Sequence, residues 1–372
     1  VILNRIELLG LGLEEMEQIM TEMGLPRFRA RQVFHWIYKH HVHSFYDMRN
    51  IPKELRQYLD ERASISLPRV IKARVSKDGT RKFLLELTDK KRIETVAIPQ
   101  FRADGKKFTI CVSSQVGCPI GCNFCATGLS GFERDLTAGE IVGQVVAVER
   151  EIKKREKPVP GDRYLTNVVF MGMGEPLLNL EAVLMAISLI NDERGIGIGE
   201  RHLTISTSGF VPGIRELSCY GLQVTLAVSL HATTDEVRNQ IIPLNRKYPL
   251  QVLMEAVADY IEKTGRRVTF EYVLLDGINT SREDARRLAQ MAKPLLVNVN
   301  LIPYNQTGDD GFGFRKPSPE TVYSFHSYLI ANGVNATVRE EMGGDIEAAC
   351  GQLRRRTASV NRKQEIGSAN SK

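Results

Sequence analysis

The chain has 372 residues, of which 42% are hydrophobic, 25% charged and 7% aromatic, enough to bury one large core or two medium ones and too apolar for a disordered or fibrous protein. No apolar run approaches the roughly 18 residues of a spanning helix, and Val1 to Gly10 lacks the basic and apolar segments of an export signal, so a cytoplasmic protein without a membrane partner is expected. The net charge of +6 is modest for an RNA binder, and much of it falls late in the chain, where Arg354, Arg355, Arg356, Arg362, Lys363 and Lys372 face Glu365.

Residues 1–65 read as a small helical module. Leu13, Met16, Ile19, Met20 and Met23 recur at helical spacing until Gly24 and Pro26 stop the run; Val33, Phe34, Trp36 and Ile37 mark a second helix, and Pro52 opens a third around Leu55, Tyr58 and Leu59. In the second helix Phe34, Trp36 and Ile37 are expected to face the core, leaving Arg27, Arg29, Arg31 and Lys39 as candidate phosphate contacts. Residues 66–104 switch to alternation. Lys77-Asp-Gly-Thr80 predicts a hairpin turn between strands at 70–75 and 82–87, and a strand at 93–98 is expected to complete a small sheet.

From about Phe108 strands and helices alternate. Strands are predicted at 108–112, 167–171, 203–207, 223–229, 268–273 and 297–302, with a seventh near 336–339. Helices are expected after Thr137, whose hydroxyl and Glu140 form a capping box, after Ser281, and twice between Asp235 and Lys263. Repeated right-handed units imply an α/β fold, a partial (βα)6 barrel spanning residues 105–342, followed by a loop and basic tail at 343–372.

Six cysteines are too sparse for a disulfide scaffold, yet Cys118-Pro-Ile-Gly-Cys122-Asn-Phe-Cys125 packs three onto the loop after the first barrel strand. Three thiolates can hold three corners of a four-iron cube and leave the fourth iron open to a ligand; a zinc knuckle completed from elsewhere is the alternative. Phe170-Met-Gly172-Met-Gly174-Glu175-Pro176 follows the second strand, where glycines let backbone approach a bound group beside a carboxylate. A dinucleotide loop fails on spacing, because Leu177 stands where a third glycine is needed. Ser206, Ser229-Leu230-His231 and Pro303-Tyr-Asn305 fall at the same carboxyl edge, where parallel barrels gather their catalytic groups. Cys219 reads as a buried structural cysteine, whereas Cys350 lies in a glycine-flanked loop suited to delivering a thiol.

The cysteine spacing with the Gly-Glu motif resembles the radical S-adenosylmethionine (SAM) enzymes. The wider set Cys111-Val-Ser-Ser-Gln-Val-Gly-Cys118, Met171-Gly-Met-Gly-Glu-Pro-Leu-Leu-Asn179, Ser206-Thr-Ser-Gly209, Ser229-Leu-His231 and Ala348-Ala-Cys-Gly-Gln-Leu353 is similar to those members that methylate C2 of RNA adenosines. That resemblance covers about Gln32 to Leu353 and implies a [4Fe-4S] cluster on Cys118, Cys122 and Cys125, with SAM contacts at Gly174, Glu175, Ser206, Ser229, Leu230, His231 and Asn305. It also implies catalytic roles: Cys350 carries the methyl group and becomes tethered to the RNA, Glu94 accepts the proton from C2, and Cys111 releases the product by forming a disulfide with Cys350. The implied partners are 23S rRNA, at its peptidyl-transferase region, and tRNA, at the adenosine beside the anticodon. An electron donor such as flavodoxin with its reductase is implied too, and a monomer. Such a mechanism requires the Cys350 sulfur to lie beside the 118–125 loop. A sister family methylates C8 of the same adenosine; Val116 and Pro176 favour the C2 type. A reading of a different class is a non-catalytic, metal-stabilised RNA-binding or redox-sensing protein.

Overall fold

The computed structural model describes residues 5–102, 105–157, 163–306 and 312–353; the predicted basic tail lies outside them. The short strand β1 (Ile6–Glu7) pairs in parallel with β2 (Ala63–Ser64), closing the module around α1 (Leu13–Glu22), α2 (Phe28–Tyr38) and α3 (Lys53–Arg62). Met16, Met20, Val33, Phe34, Ile37 and Leu59 are buried between them, so the apolar faces pair as the periodicity predicts. Trp36 sits at the edge, half-buried, with its indole N–H donating to Asn50 Oδ1.

The hairpin forms as predicted, from β3 (Arg69–Val75) and β4 (Arg81–Glu86), followed by β5 (Arg92–Arg102). It does not make a small sheet of its own. β5 runs past its predicted end and pairs antiparallel with β6 (Gly105–Cys111), so three antiparallel strands extend the barrel sheet into ten strands. The reason is β6 itself, whose other edge pairs in parallel with β9 (Leu165–Phe170). Between them lie β7 (Gln115–Gly117), α4 (Ala126–Leu129), β8 (Phe132–Asp135) and α5 (Ala138–Lys153), the last opened by the Thr137–Glu140 capping box.

From β9 the units run through α6 (Leu180–Asn191), β10 (Leu203–Thr207), α7 (Val211–Leu217), β11 (Thr225–Ser229), α8 (Asp235–Ile241), α9 (Leu250–Thr264), β12 (Val268–Leu274), α10 (Arg282–Ala292), β13 (Val297–Pro303), α11 (Pro319–Ala331) and β14 (Ala336–Val338). Six parallel strands with their helices, plus β14, make the predicted partial barrel.

The registers divide the sheet into two unlike faces. Phe170, Ile205, Val228, Phe270 and Val299 lie on one face, buried and packed into one core with the helices through residues such as Val145, Ile187, Leu253 and Leu288. The opposite face carries Cys111, Ser206, Ser229, Glu271 and Asn300. A sheet whose inner face is polar cannot close onto a dry core, and it presents that face to a ligand.

Candidate active site

The cysteine loop is anchored from both sides. Ile120 packs in a second apolar cluster with Ile241, Ile242, Val273 and Leu275, against which Cys118, Cys122 and Phe124 rest. Gly117 and Gly128 are needed for close approach: a Cβ on Gly117 would fall on the Gly131 carbonyl oxygen, and one on Gly128 would stand 2.7 Å from the Cys122 nitrogen. Burial, the neighbouring Cys125 and Glu175 push the Cys118 thiol up to about 12, while backbone N–H groups of Ile120 and Gly121 point at its sulfur and oppose the rise. Burial raises Cys122 as well, reinforced by Cys125 and Cys118. The sulfurs of these three half-buried cysteines are close enough to act on one another, and N–H groups already aimed at one of them suit a metal-bound thiolate.

Above this loop stands the Gly-Glu motif. Gly172 lies against Val112 and Ser113, and Gly174, at φ +110°, against Ser114 and Gln115; side chains at either glycine would collide with them. Glu175 is buried, with its N–H on Gln115 Oε1 at 2.8 Å. Its carboxylate accepts from the Ser208 N–H (2.7 Å) and hydroxyl (2.6 Å). Burial raises its pKa against those donors.

Ser206 donates to the Phe170 carbonyl at 2.6 Å on the polar face. Leu230 and His231 both donate backbone N–H groups to the Glu271 carbonyl. His231 holds a left-handed φ of +57°, fixed by Asn279, which donates to its carbonyl at 2.8 Å, and by the Val273 N–H, which donates to Nδ1 at 2.9 Å. The neutral ring therefore carries its proton on Nε2, and burial lowers its pKa to about 3. Asn305 is buried with its Oδ1 unpartnered, as is the Ser114 hydroxyl. Buried polar atoms left without a partner fit a bound polar cosubstrate such as SAM.

The C-terminal loop docks on this assembly. Ala126, next to Cys125, donates its N–H to the Gly351 carbonyl (2.8 Å), Thr127 its hydroxyl to Leu353 (2.5 Å), and Asn305 Nδ2 to the Cys350 carbonyl (3.2 Å). The backbone around Cys350 is thus held beside the 118–125 loop. The residue keeps accessible surface, and Glu271, Arg339 and Cys125 all act on its thiol electrostatically. Burial there raises it, Glu271 adds to the rise, and Arg339 opposes it. Cys111, at the end of β6, is buried and raised in turn, with Cys350 among the causes. Both thiols are free.

Glu94 shares the Cys111 face of the sheet, since Val96 pairs with Cys111 and Glu94 is two residues away. It is buried, 3.4 Å from Lys82 Nζ. Cys111, Glu94, Ser206 and Ser229 thus share one face of the sheet, and the loop bearing Cys350 meets the cysteine loop at Ala126 and Thr127. Sequence reasoning missed Ser208, Gln144, Glu271 and Arg238. Gln144 was detectable as a polar residue on the apolar face of α5, where it holds Ser113 in both directions at 2.8 Å. Cys219 is a correction: it is exposed, not buried, because it falls in the turn past α7, with its thiol near the Arg215 carbonyl. Of the candidate phosphate contacts, Arg31 is taken by Glu17 at 3.1 Å and Arg29 by Gln32.

Residues 6–65 match the ribosomal RNA large subunit methyltransferase N-terminal domain, and residues 112–292 the radical SAM superfamily. A probable dual-specificity RNA methyltransferase RlmN from Syntrophomonas wolfei is 53% identical over 95% of this chain and 98% of its own length. This chain belongs to the RlmN family of radical SAM RNA methyltransferases. The RlmN of Alcanivorax borkumensis is 45% identical over 97% of this chain and 93% of its own. The crystal structure of a radical SAM methyltransferase from Sphaerobacter thermophilus, 45% identical, superposes with a TM-score of 0.87 over 94% of this chain and 99% of that one. RlmN enzymes use a [4Fe-4S] cluster and SAM and act on RNA. No helix among the described residues is long and apolar enough to cross a membrane.

Proposed function

We propose that this chain methylates C2 of an adenosine in the peptidyl-transferase region of 23S rRNA and of the adenosine beside the anticodon in tRNAs, with Cys350 as the methyl carrier. The observation that carries the reading is the docking of the Cys350 loop on the cysteine loop through Ala126 and Thr127. Cys118, Cys122 and Cys125 hold the cluster, and Gly174, Glu175, Ser206, Ser229, Leu230, His231 and Asn305 hold SAM. Together these groups supply, when bound, the radical chemistry that an electron-poor ring carbon without a free lone pair requires.

The protein's own residues do the rest. Cys350 bears the methyl carbon as a thioether and, once that carbon has joined C2, tethers the RNA. Glu94 takes the C2 proton, and the unpaired electron left on the ring passes back to the cluster held by Cys118, Cys122 and Cys125. The Cys111 sulfur, having given up its proton, attacks the Cys350 sulfur; the disulfide forms as the sulfur–carbon bond breaks, its electrons go to the carbon, and a proton completes the methyl group. Burial keeps Cys111 protonated until then, so the thiol is spared side reactions. A thiol reductant must reopen the disulfide before the next cycle.

The chain acts in the cytoplasm as a monomer, with a low-potential flavoprotein such as flavodoxin and its reductase as electron donor. The residue-1–65 module and the basic tail contribute phosphate contacts. Mass spectrometry of the Cys350 peptide, from protein expressed with its cluster, should show one added methyl group. Digested product RNA should contain 2-methyladenosine; 8-methyladenosine alone would overturn the C2 assignment.

A further inference from the structure

Arg238, on α8, has no solvent exposure. Its Nε donates to the Leu230 carbonyl at 2.9 Å, Nη2 to the carbonyls of Ser208 (2.7 Å) and Ser229 (3.0 Å), and Nη1 to Asn245 Oδ1 (2.8 Å). All four acceptors are neutral, and Asp235 stands one step removed, bonded to Asn245 Nδ2 at 2.8 Å. A buried guanidinium satisfied this way is expensive to keep, so the fold retains a positive charge where nothing in its own packing asks for one. Gly209, at φ +103°, makes room for it: a Cβ there would stand 3.1 Å from Nη2.

The helix carrying this cation is bonded directly to the cysteine loop. Asn123, between Cys122 and Cys125, donates its N–H to the Ile241 carbonyl (3.1 Å) and its side-chain amide to the Gln240 carbonyl (2.6 Å). Ile241 and Ile242 share the apolar cluster on which Cys118 and Cys122 rest. The same guanidinium therefore touches three strand-end carbonyls, sits on the helix bonded to the cysteine loop, and acts electrostatically on the Cys122 thiol.

We propose that Arg238 is a positioning residue with two linked duties: it ties together the strand ends bearing Ser208, Ser229 and Leu230, and it sets a fixed positive charge against the three-thiolate loop. This deepens the reading that Cys118, Cys122 and Cys125 hold the cluster, and rests on it. Three thiolates on a four-iron core leave a net negative charge that grows by one when an external low-potential donor delivers an electron. A fixed cation in a low-dielectric interior stabilises the reduced form more than the oxidised one, raising the reduction potential. Burial lowers the guanidinium only to about 10, so it stays charged at neutral pH.

The test uses the full chain, reconstituted anaerobically and titrated with dithionite while electron paramagnetic resonance follows the reduced cluster, alongside SAM binding by equilibrium dialysis. Arg238→Gln should assemble iron and sulfide as the parent does, reduce at a more negative potential and bind SAM several-fold more weakly. Arg238→Lys should restore the potential but not the SAM affinity, because it keeps the charge and loses the fork of bonds. Asn245→Asp leaves Arg238 in place and sets a carboxylate against Nη1; it should also lower the potential, and it carries the test if the glutamine variant does not fold. Unchanged potentials in the folded charge-neutralising variants would overturn the proposal. A parent chain that takes up no iron and sulfide would overturn the cluster reading beneath it.

Discussion

Lys82 Nζ lies 3.4 Å from Glu94 Oε1 with both side chains almost fully buried, and the same ammonium donates to the Glu347 carbonyl at 2.7 Å. One cation thus joins the proposed proton acceptor to the loop that carries Cys350 three residues later. The two side chains share a face because Lys82 pairs with Val96 across β4 and β5. Replacing Lys82 by Met removes a charged partner from a buried carboxylate, at a cost of about 3 kcal/mol. The expected result is a lower denaturation midpoint in urea and slower product release; a midpoint equal to the parent's would show the pair to be idle.

On the proposed mechanism Cys111 and Cys350 have separable tasks. Cys111→Ala should leave methyl transfer to Cys350 intact and trap the tethered RNA, visible as a protein–RNA band that survives denaturing electrophoresis. Cys350→Ala should give neither band nor methylated RNA. Free turnover by the Cys111 variant would remove the disulfide release step.

His231 is held neutral by burial, with its pKa lowered to about 3 against about 6.5 in an unfolded chain. Below about pH 6.5 the unfolded chain binds the extra proton, so folding stability falls as pH drops from there toward 3, by a few kcal/mol in all. Above that window the contribution is constant. His231→Asn tolerates the left-handed backbone and removes the titration, so its melting temperature should fall less steeply between pH 6.5 and 4. Parallel curves for the two proteins would assign the acid sensitivity elsewhere.

The helical module is fastened to the barrel by two glycines. A Cβ on Gly139, in α5, would stand 2.3 Å from the Leu9 carbonyl oxygen, and one on Gly10 would stand 2.5 Å from the Gly139 nitrogen. Gly139→Ala should cost about 1–3 kcal/mol through overpacking, and limited proteolysis should cut first near this junction. Unaltered cleavage kinetics would mean that the contact can relax.

The strands of the barrel, its helix caps and the cysteine loop were legible in the sequence because each depends on local periodicity or spacing. The Thr137–Glu140 box and the strand at 203–207 needed nothing beyond their neighbours. Cys219 was misjudged because burial depends on where a turn ends relative to the core, which residue type alone does not fix. Arg238 gave no local signal, since Val-Arg-Asn on an amphipathic helix reads as a solvated charge.

By itself the sequence determined which elements form and which side chains are chemically able, since backbone propensity and ligand spacing act over a few residues. The tertiary structure alone decided that the hairpin strands extend the barrel sheet, that the inner face stays polar, and that the loop bearing the 350 thiol closes on the one bearing 118, 122 and 125. Those outcomes follow from strand register and hydrogen bonds between segments more than two hundred residues apart, and no short window of sequence contains them.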